Sequence, residues 1–238
     1  MPRRSKASAP RSSLSRAAAL VRRLFRWIVV APLGLAALGI VLFAVVNPAL
    51  THTMWSEKRR LGQIERIWVP MEDIAPVMAR AAVAAEDANY CLHWGFDMDA
   101  IRSALDDGAQ RGASTISQQT VKNVYLWQGR SWVRKAIEAA LTPAVELVWS
   151  KRRILEVYLN VAEFDEGVFG VEAAAQHYFN IPAAELSPTQ AARLAGVLPS
   201  PKARDAADPS AWLQRRAASI RDGAATIAAD GRAACFED

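Results

Sequence analysis

Gly112–Asn123 reads GASTISQQTVKN, and the rest of the chain can be placed around it. A small-residue turn opens the stretch, and Thr115 with Gln118 three positions on is the pattern of a capping box that starts a helix. Ser114, Gln118 and Lys122 recur every four residues, and Thr115, Gln119 and Asn123 repeat that interval one place on. Side chains four apart share a helical face. The helix therefore carries a broad polar stripe ending in a cation, with Ile116, Val121, Val124 and Tyr125 left for its other side. A merely solvated face would be rich in Glu and Lys. This one holds Ser, Thr, Gln and Asn with a single Lys, a set suited to hydrogen-bonding sugar or phosphate oxygens.

On either side of the stretch the pattern stays helical. Met71–Glu86 carries apolar residues at 74, 77, 78, 81 and 85, an amphipathic spacing. Asp97 stands as the N-cap of a helix running towards Asp107 and stopping at Gly108. Trp132–Trp149 predicts a long helix that Pro143 kinks or divides, and Ser150 caps the next, Lys151–Leu159. Gly167 and Gly170 mark a loop before a helix over Val171–Phe179. Ser187-Pro188 starts another that ends near Leu198, and a last one spans about 210–228 with a frayed tail beyond. No alternating strand, Gly-rich nucleotide loop or internal repeat stands out. The expected class is all-α.

The 238 residues suit one domain with appendages. Arg3, Arg4, Lys6, Arg11, Arg16, Arg22, Arg23 and Arg26 fall in a tail without acids, and these eight cations exceed the formal net charge of +5. The basic balance thus belongs to the tail and does not mark a nucleic-acid-binding domain. Trp27–Val46 has no charged residue. Twenty such residues span roughly the 30 Å of a bilayer core, longer than the h-region of a cleaved signal. The expected organisation is a basic cytoplasmic tail over 1–26, a transmembrane anchor over 27–47, a membrane-proximal connector over 48–70 and a helical domain over 71–238. The positive-inside rule then puts the tail in the cytoplasm and everything after about residue 50 outside the inner leaflet, in a periplasm-like space. Trp55 and Trp68 of the connector suit a membrane surface. Cys91 and Cys235 are free to bridge or not in such a compartment, and His52, His93 and His177 are too dispersed for a zinc site.

Glu86 and Asp87 stand where an apolar helix ends, a boundary at which a carboxylate can be desolvated and so suited to general base work. A surface acidic pair is the plain alternative. Glu138 lies four after Arg134 and three after Lys135, the spacing of ordinary helical ion pairs. Together with Lys122 and Arg130, however, those cations make a cluster of the kind a pyrophosphate leaving group needs.

With these residues placed, the chain resembles the peptidoglycan glycosyltransferases of glycosyltransferase family 51, and among them the monofunctional, membrane-anchored type. The first family motif corresponds to Glu86-Asp87 through Tyr90, His93 and Gly95-Phe96-Asp97, and the second to Gly112–Asn123. The third corresponds to Arg134-Lys135-Ala-Ile-Glu138 with Glu146 beyond, the fourth to Lys151–Asn160 and the fifth to Gly167–Phe179. The likeness covers roughly 70–200, and Tyr90 and Ser117 depart from the residues usual there. After Pro199 the resemblance is poor.

The resemblance implies a lysozyme-like helical domain that polymerises lipid II into β-1,4-linked glycan strands, inverting the anomeric centre and releasing undecaprenyl pyrophosphate. It implies Glu86 as the base on the acceptor hydroxyl and Glu138 as a second catalytic carboxylate at the leaving group. Lys122 and Arg130, with Arg134 and Lys135 nearby, would contact the pyrophosphate. Asp87, His93, Ser114, Thr115, Gln118, Gln119 and Asn123 would bind substrate and shape its site. No cofactor is obligatory on this resemblance, and a divalent cation, magnesium or manganese, is an assistant near Glu138. The implied partners are lipid II, the growing strand, the membrane and cell-division or other wall-synthesis proteins. A lysozyme-like glycan hydrolase and an inactive membrane-anchored scaffold are the rival readings; the cation cluster counts against the first and the intact carboxylates against the second.

Overall fold

The computed structural model describes residues 20, 22–23, 25–106, 108, 112, 114–129 and 131–237. Most of the basic tail, Asp107 and the expected site residue Arg130 lie outside the described residues. The chain divides into two units, Met1–Leu42 and Phe43–Asp238.

In the first, a π-type turn over Arg26–Val30 leads into α1, Ala31–Phe43. Arg26–Phe43 forms an 18-residue apolar stretch of mean hydropathy 2.1, long and apolar enough to cross a membrane. Helix stops three residues short of the expected Val46.

The second unit is built from α2 His52–Leu61, α3 Pro76–Glu86, α4 Met98–Asp106, α5 Ile116–Tyr125, α6 Trp132–Val148, α7 Lys151–Val161, α8 Val171–Phe179, α9 Pro188–Val197, α10 Ala211–Ala229 and α11 Ala234–Glu237. Local chemistry sets most of these boundaries. Ser131, Ser150, Ser187 and Ser210 each accept a hydrogen bond from the third backbone N–H of the helix that follows. Asp97 accepts from the Asp99 and Ala100 amides at 3.1 and 2.8 Å, as its cap position requires. Pro143 lies within α6 without dividing it.

Two helical groups hold the core. α3, α9 and α10 pack on one another, and α5 lies between α6 and α7. The connector packs with them: Trp68 is half-buried, with the guanidinium groups of Arg66 and Arg153 at 5.3 and 5.5 Å from its ring, while Trp55 stays exposed.

The expected all-α class holds, with two local corrections. A three-stranded sheet exists, in the order β1-β3-β2, from β1 Glu65–Arg66, β2 Glu163–Asp165 and β3 Val168–Phe169. β1 pairs parallel to β3 and β2 antiparallel. Strands of two and three residues are too short to show alternation, which is why no strand was expected. Asn160, fully buried, extends the pairing by exchanging two 2.9 Å hydrogen bonds with the Val69 backbone. The second correction concerns the C-terminus, which is not frayed. Cys235 on α11 is bonded to Cys91, and Phe236 is buried 6.2 Å from the Tyr90 ring.

Candidate active site

Three stretches far apart in sequence meet at the start of α5. Thr115 and Gln118 form the capping box, their side chains accepting from the Gln118 and Thr115 amides at 3.2 and 3.1 Å. The Thr115 hydroxyl also donates to the Gly95 carbonyl at 2.7 Å. Asp87, buried, accepts from the Ile116 amide at 2.9 Å and pairs with His93 Nε2 at 2.8 Å. An anion is favoured at that helix N-terminus. Gly95 is required for two reasons: its φ is 86°, and a Cβ there would come within 2.7 Å of Thr142 Cγ2. Asp87, His93 through its Nε2, Thr115 and Gln118 thus hydrogen-bond inside the protein, on the frame that fixes α5 against the end of α3.

Glu86, the last residue of α3, is treated differently. Gln119 Nε2 donates to its carboxylate at 2.8 Å, and among the described residues no ion pair forms on it. Burial pushes its carboxyl above the ordinary range. The Gln119 hydrogen bond and the more distant charges of Arg216, Lys122 and Arg204 oppose that rise. Lys122 lies on the same face of α5; burial lowers its ammonium, Glu138 and Glu86 pull it back up, and Arg134 and Lys135 push it further down. Tyr158 closes the group, its hydroxyl donating to Gln119 Oε1 at 3.4 Å.

Glu138 on α6 is 2% exposed and held by two cations, Arg134 Nη1 at 3.0 Å and Lys135 Nζ. Lys135 also donates to the Ser114 hydroxyl at 3.1 Å, tying this cluster to the start of α5. Glu146, two turns on, is equally enclosed, paired with Ser117 and with Lys151 Nζ at 2.7 Å. These carboxylates do not fit a divalent cation: Glu138 has both oxygens on cations, and among the described residues no group of three His, Cys, Asp or Glu is placed to hold a metal.

A cleft of about 380 Å³ opens along α5, lined there by Gln119, Lys122 and Asn123. Its far wall holds Glu57 of α2, Glu163 of β2 and Lys202, whose ammonium lies 2.9 and 3.4 Å from those two carboxylates. Of the expected residues, then, Gln119, Lys122 and Asn123 face the cleft, Glu86 adjoins it through Gln119, and Ser114, Arg134, Lys135 and Glu138 form the neighbouring cluster. Lys202, Glu57 and Glu163 were not expected, because they come from the connector, from an unforeseen strand and from the stretch after Pro199.

Comparison with known proteins now adds to the geometry. The family model described as Transglycosylase matches residues 54–224. The chain belongs to the transglycosylase family. A protein of Jannaschia sp. (strain CCS1) named biosynthetic peptidoglycan transglycosylase is 62% identical over 229 residues, 95% of this chain and 96% of that protein. One of the same name from Xanthomonas axonopodis pv. citri (strain 306) is 49% identical over 214 residues, 84% of this chain and 87% of that protein. The transglycosylase match begins inside α2 and ends inside α10, so it takes in the far wall of the cleft and continues past Pro199.

Proposed function

We infer that the protein is a peptidoglycan glycosyltransferase of cell-wall synthesis, which polymerises lipid II into β-1,4-linked glycan strands. The observation that carries the reading is the contrast beside α5: a half-buried carboxylate without an ion pair, Glu86, next to the cations Lys122, Arg134 and Lys135. Displacing a pyrophosphate needs one base on the nucleophile and positive charge on the leaving group.

In this mechanism Glu86 takes the proton from the 4-hydroxyl of the acceptor's N-acetylglucosamine. The freed oxygen attacks C1 of the donor's N-acetylmuramic acid, and the bond to the pyrophosphate oxygen breaks with inversion. Lys122, with Lys135 and Arg134 behind it, stabilises the departing charge; Gln119, Asn123 and Ser114 hold sugar or phosphate oxygens. Glu138 keeps the two cations of α6 in place, and no step runs through a metal. The apolar helix Arg26–Phe43 serves as the anchor that keeps the enzyme beside a substrate with a long prenyl tail. The basic tail before it lies in the cytoplasm, and the cleft opens on the periplasmic side of the inner membrane.

Purified full-length protein in detergent, given labelled lipid II beside Glu86→Gln, tests this. Muramidase-sensitive polymer from the wild type alone is the expected result. Lipid II binding without polymer from the wild type overturns the reading in favour of a scaffold, and shortening of preformed glycan does so in favour of a hydrolase.

A further inference from the structure

α10 packs along α3, whose last residue is Glu86. The C-terminal carbonyls of a helix lack intrahelical partners and accept readily from a guanidinium. Arg216 of α10 supplies one, its Nη2 donating to the Ala85 carbonyl at 2.9 Å, one residue before Glu86. The Arg216 side chain is half-buried, and among the described residues no carboxylate forms an ion pair with it. A second guanidinium, Arg204, lies 4.4 Å over the Trp212 ring and donates to the Gly196 carbonyl at 2.7 Å. Arg204 and Arg216 repel one another, and both attract the Glu86 carboxylate. Glu86 is therefore faced by Gln119 and Lys122 of α5, Tyr158 of α7, Asp87 beside it, Arg216 of α10 and Arg204 of the turn before α10.

We propose that Arg216 is a positioning residue for the reaction: it caps the helix that ends in Glu86 and sets a fixed positive charge behind that carboxylate. This rests on Glu86 being the base. Lys122, Arg134 and Lys135 serve the leaving group, whereas Arg216 acts from α10 through the backbone of α3 and through space. Its consequence is a direction in pH. Removing the charge leaves burial less opposed, so Glu86 holds its proton to higher pH and the acidic limb of turnover moves upward.

The test is the pH dependence of lipid II polymerisation by full-length wild type, Arg216→Met and Arg216→Lys, corrected for folded fraction by circular dichroism and melting, with Glu86→Gln as control. In Arg216→Met the acidic limb of kcat moves up by about 0.5–1 pH unit, a modest shift for a charge beyond direct contact. Its kcat falls roughly tenfold while KM changes little, as misplacing a base affects the chemical step. Arg216→Lys restores the limb but not the full kcat, because an ammonium keeps the charge without the planar fork. A merely structural arginine would lower melting and leave the limb where it is, and that result overturns the proposal. If Arg216→Met does not fold, Arg216→Lys decides: a wild-type kcat overturns it, and a lowered kcat with an unmoved limb supports it. Turnover by Glu86→Gln would instead remove the base assignment itself, an outcome separable from an unmoved limb in Arg216→Met.

Discussion

Glu86 and Glu138 are both carboxylates taken out of water beside the same helix, yet their surroundings are opposite. Glu138 has a cation on each oxygen, Arg134 and Lys135, and so is a negative charge fixed by its partners. Glu86 has one neutral donor, Gln119, and its charges stand farther off. A buried carboxylate without a paired cation favours its protonated form. Such a group takes up a proton during a reaction; a doubly paired one holds other groups in place. The difference between an acceptor and an anchor lies chiefly in partners, since both are withdrawn from water, Glu138 fully and Glu86 in part.

Neutralising each carboxylate in turn separates the two roles. On the proposed mechanism Glu86→Gln lowers lipid II turnover by roughly 10³-fold or more, within the range for losing a general base. Stability moves the other way. Because burial raises the Glu86 pKa on folding, its charged form is disfavoured at neutral pH and the penalty fades as pH falls through that pKa. Glu86→Gln therefore melts at the wild-type temperature or slightly above at pH 7, and a clear drop in melting temperature would contradict the account of an unpaired carboxylate.

Lys122→Ala comes next. It removes the cation that α5 presents to the cleft and lowers turnover by about 10²-fold, comparable to removing one donor that stabilises developing charge. Binding of a phosphoglycolipid donor-site inhibitor weakens in parallel. Unchanged inhibitor affinity would assign Lys122 to α5 packing and leave Glu86 without a cationic neighbour that faces substrate.

Glu138→Gln has a smaller effect on turnover, about tenfold, and a larger one on stability, roughly 2–3 kcal/mol, because Arg134 is left half-buried without its partner. Thermal melting beside steady-state rates checks both. If Glu138→Gln were as inactive as Glu86→Gln and equally stable, the anchor and acceptor roles would not be distinct.

How much of this could be read from the sequence follows from range. The capping box Thr115/Gln118 and the face bearing Gln119, Lys122 and Asn123 are local, so four-residue periodicity was enough to place them. The Arg134/Glu138 spacing was equally plain, but spacing is silent on depth: it reads as a surface pair, whereas Glu138 is buried and Arg134 half-buried. Glu57, Glu163 and Lys202 meet only because α2, β2 and the turn before α10 converge, and no helical or strand period links positions so far apart in sequence. Arg216 was equally hidden, since its partner is a backbone carbonyl, which carries no sequence signature.

The disulfide provides the mildest and most selective perturbation, because it touches only the Glu86 side. Cys91 lies in the turn Tyr90–Leu92 just after Glu86, and its bond to Cys235 spans 144 residues of sequence. In the chain-entropy view, closing so long a loop is worth on the order of 3–5 kcal/mol. Cys235→Ser should accordingly lower the melting temperature by roughly 10 °C, at a few degrees per kcal/mol for a domain of this size. Turnover of the folded fraction should fall less than about tenfold, because other contacts hold the same turn. Asp87 keeps its bonds to His93 and the Ile116 amide, Arg232 donates to the Ala88 carbonyl at 3.0 Å, and Arg152 to that of Phe236 at 3.0 Å. Melting curves with and without reductant, beside rates at a temperature where both forms are folded, separate the two effects. A rate loss as large as that of Lys122→Ala would mean that the covalent bond, rather than the Asp87 frame, aims Glu86 at the cleft. A wild-type rate with lowered melting would leave that aim to side chains alone.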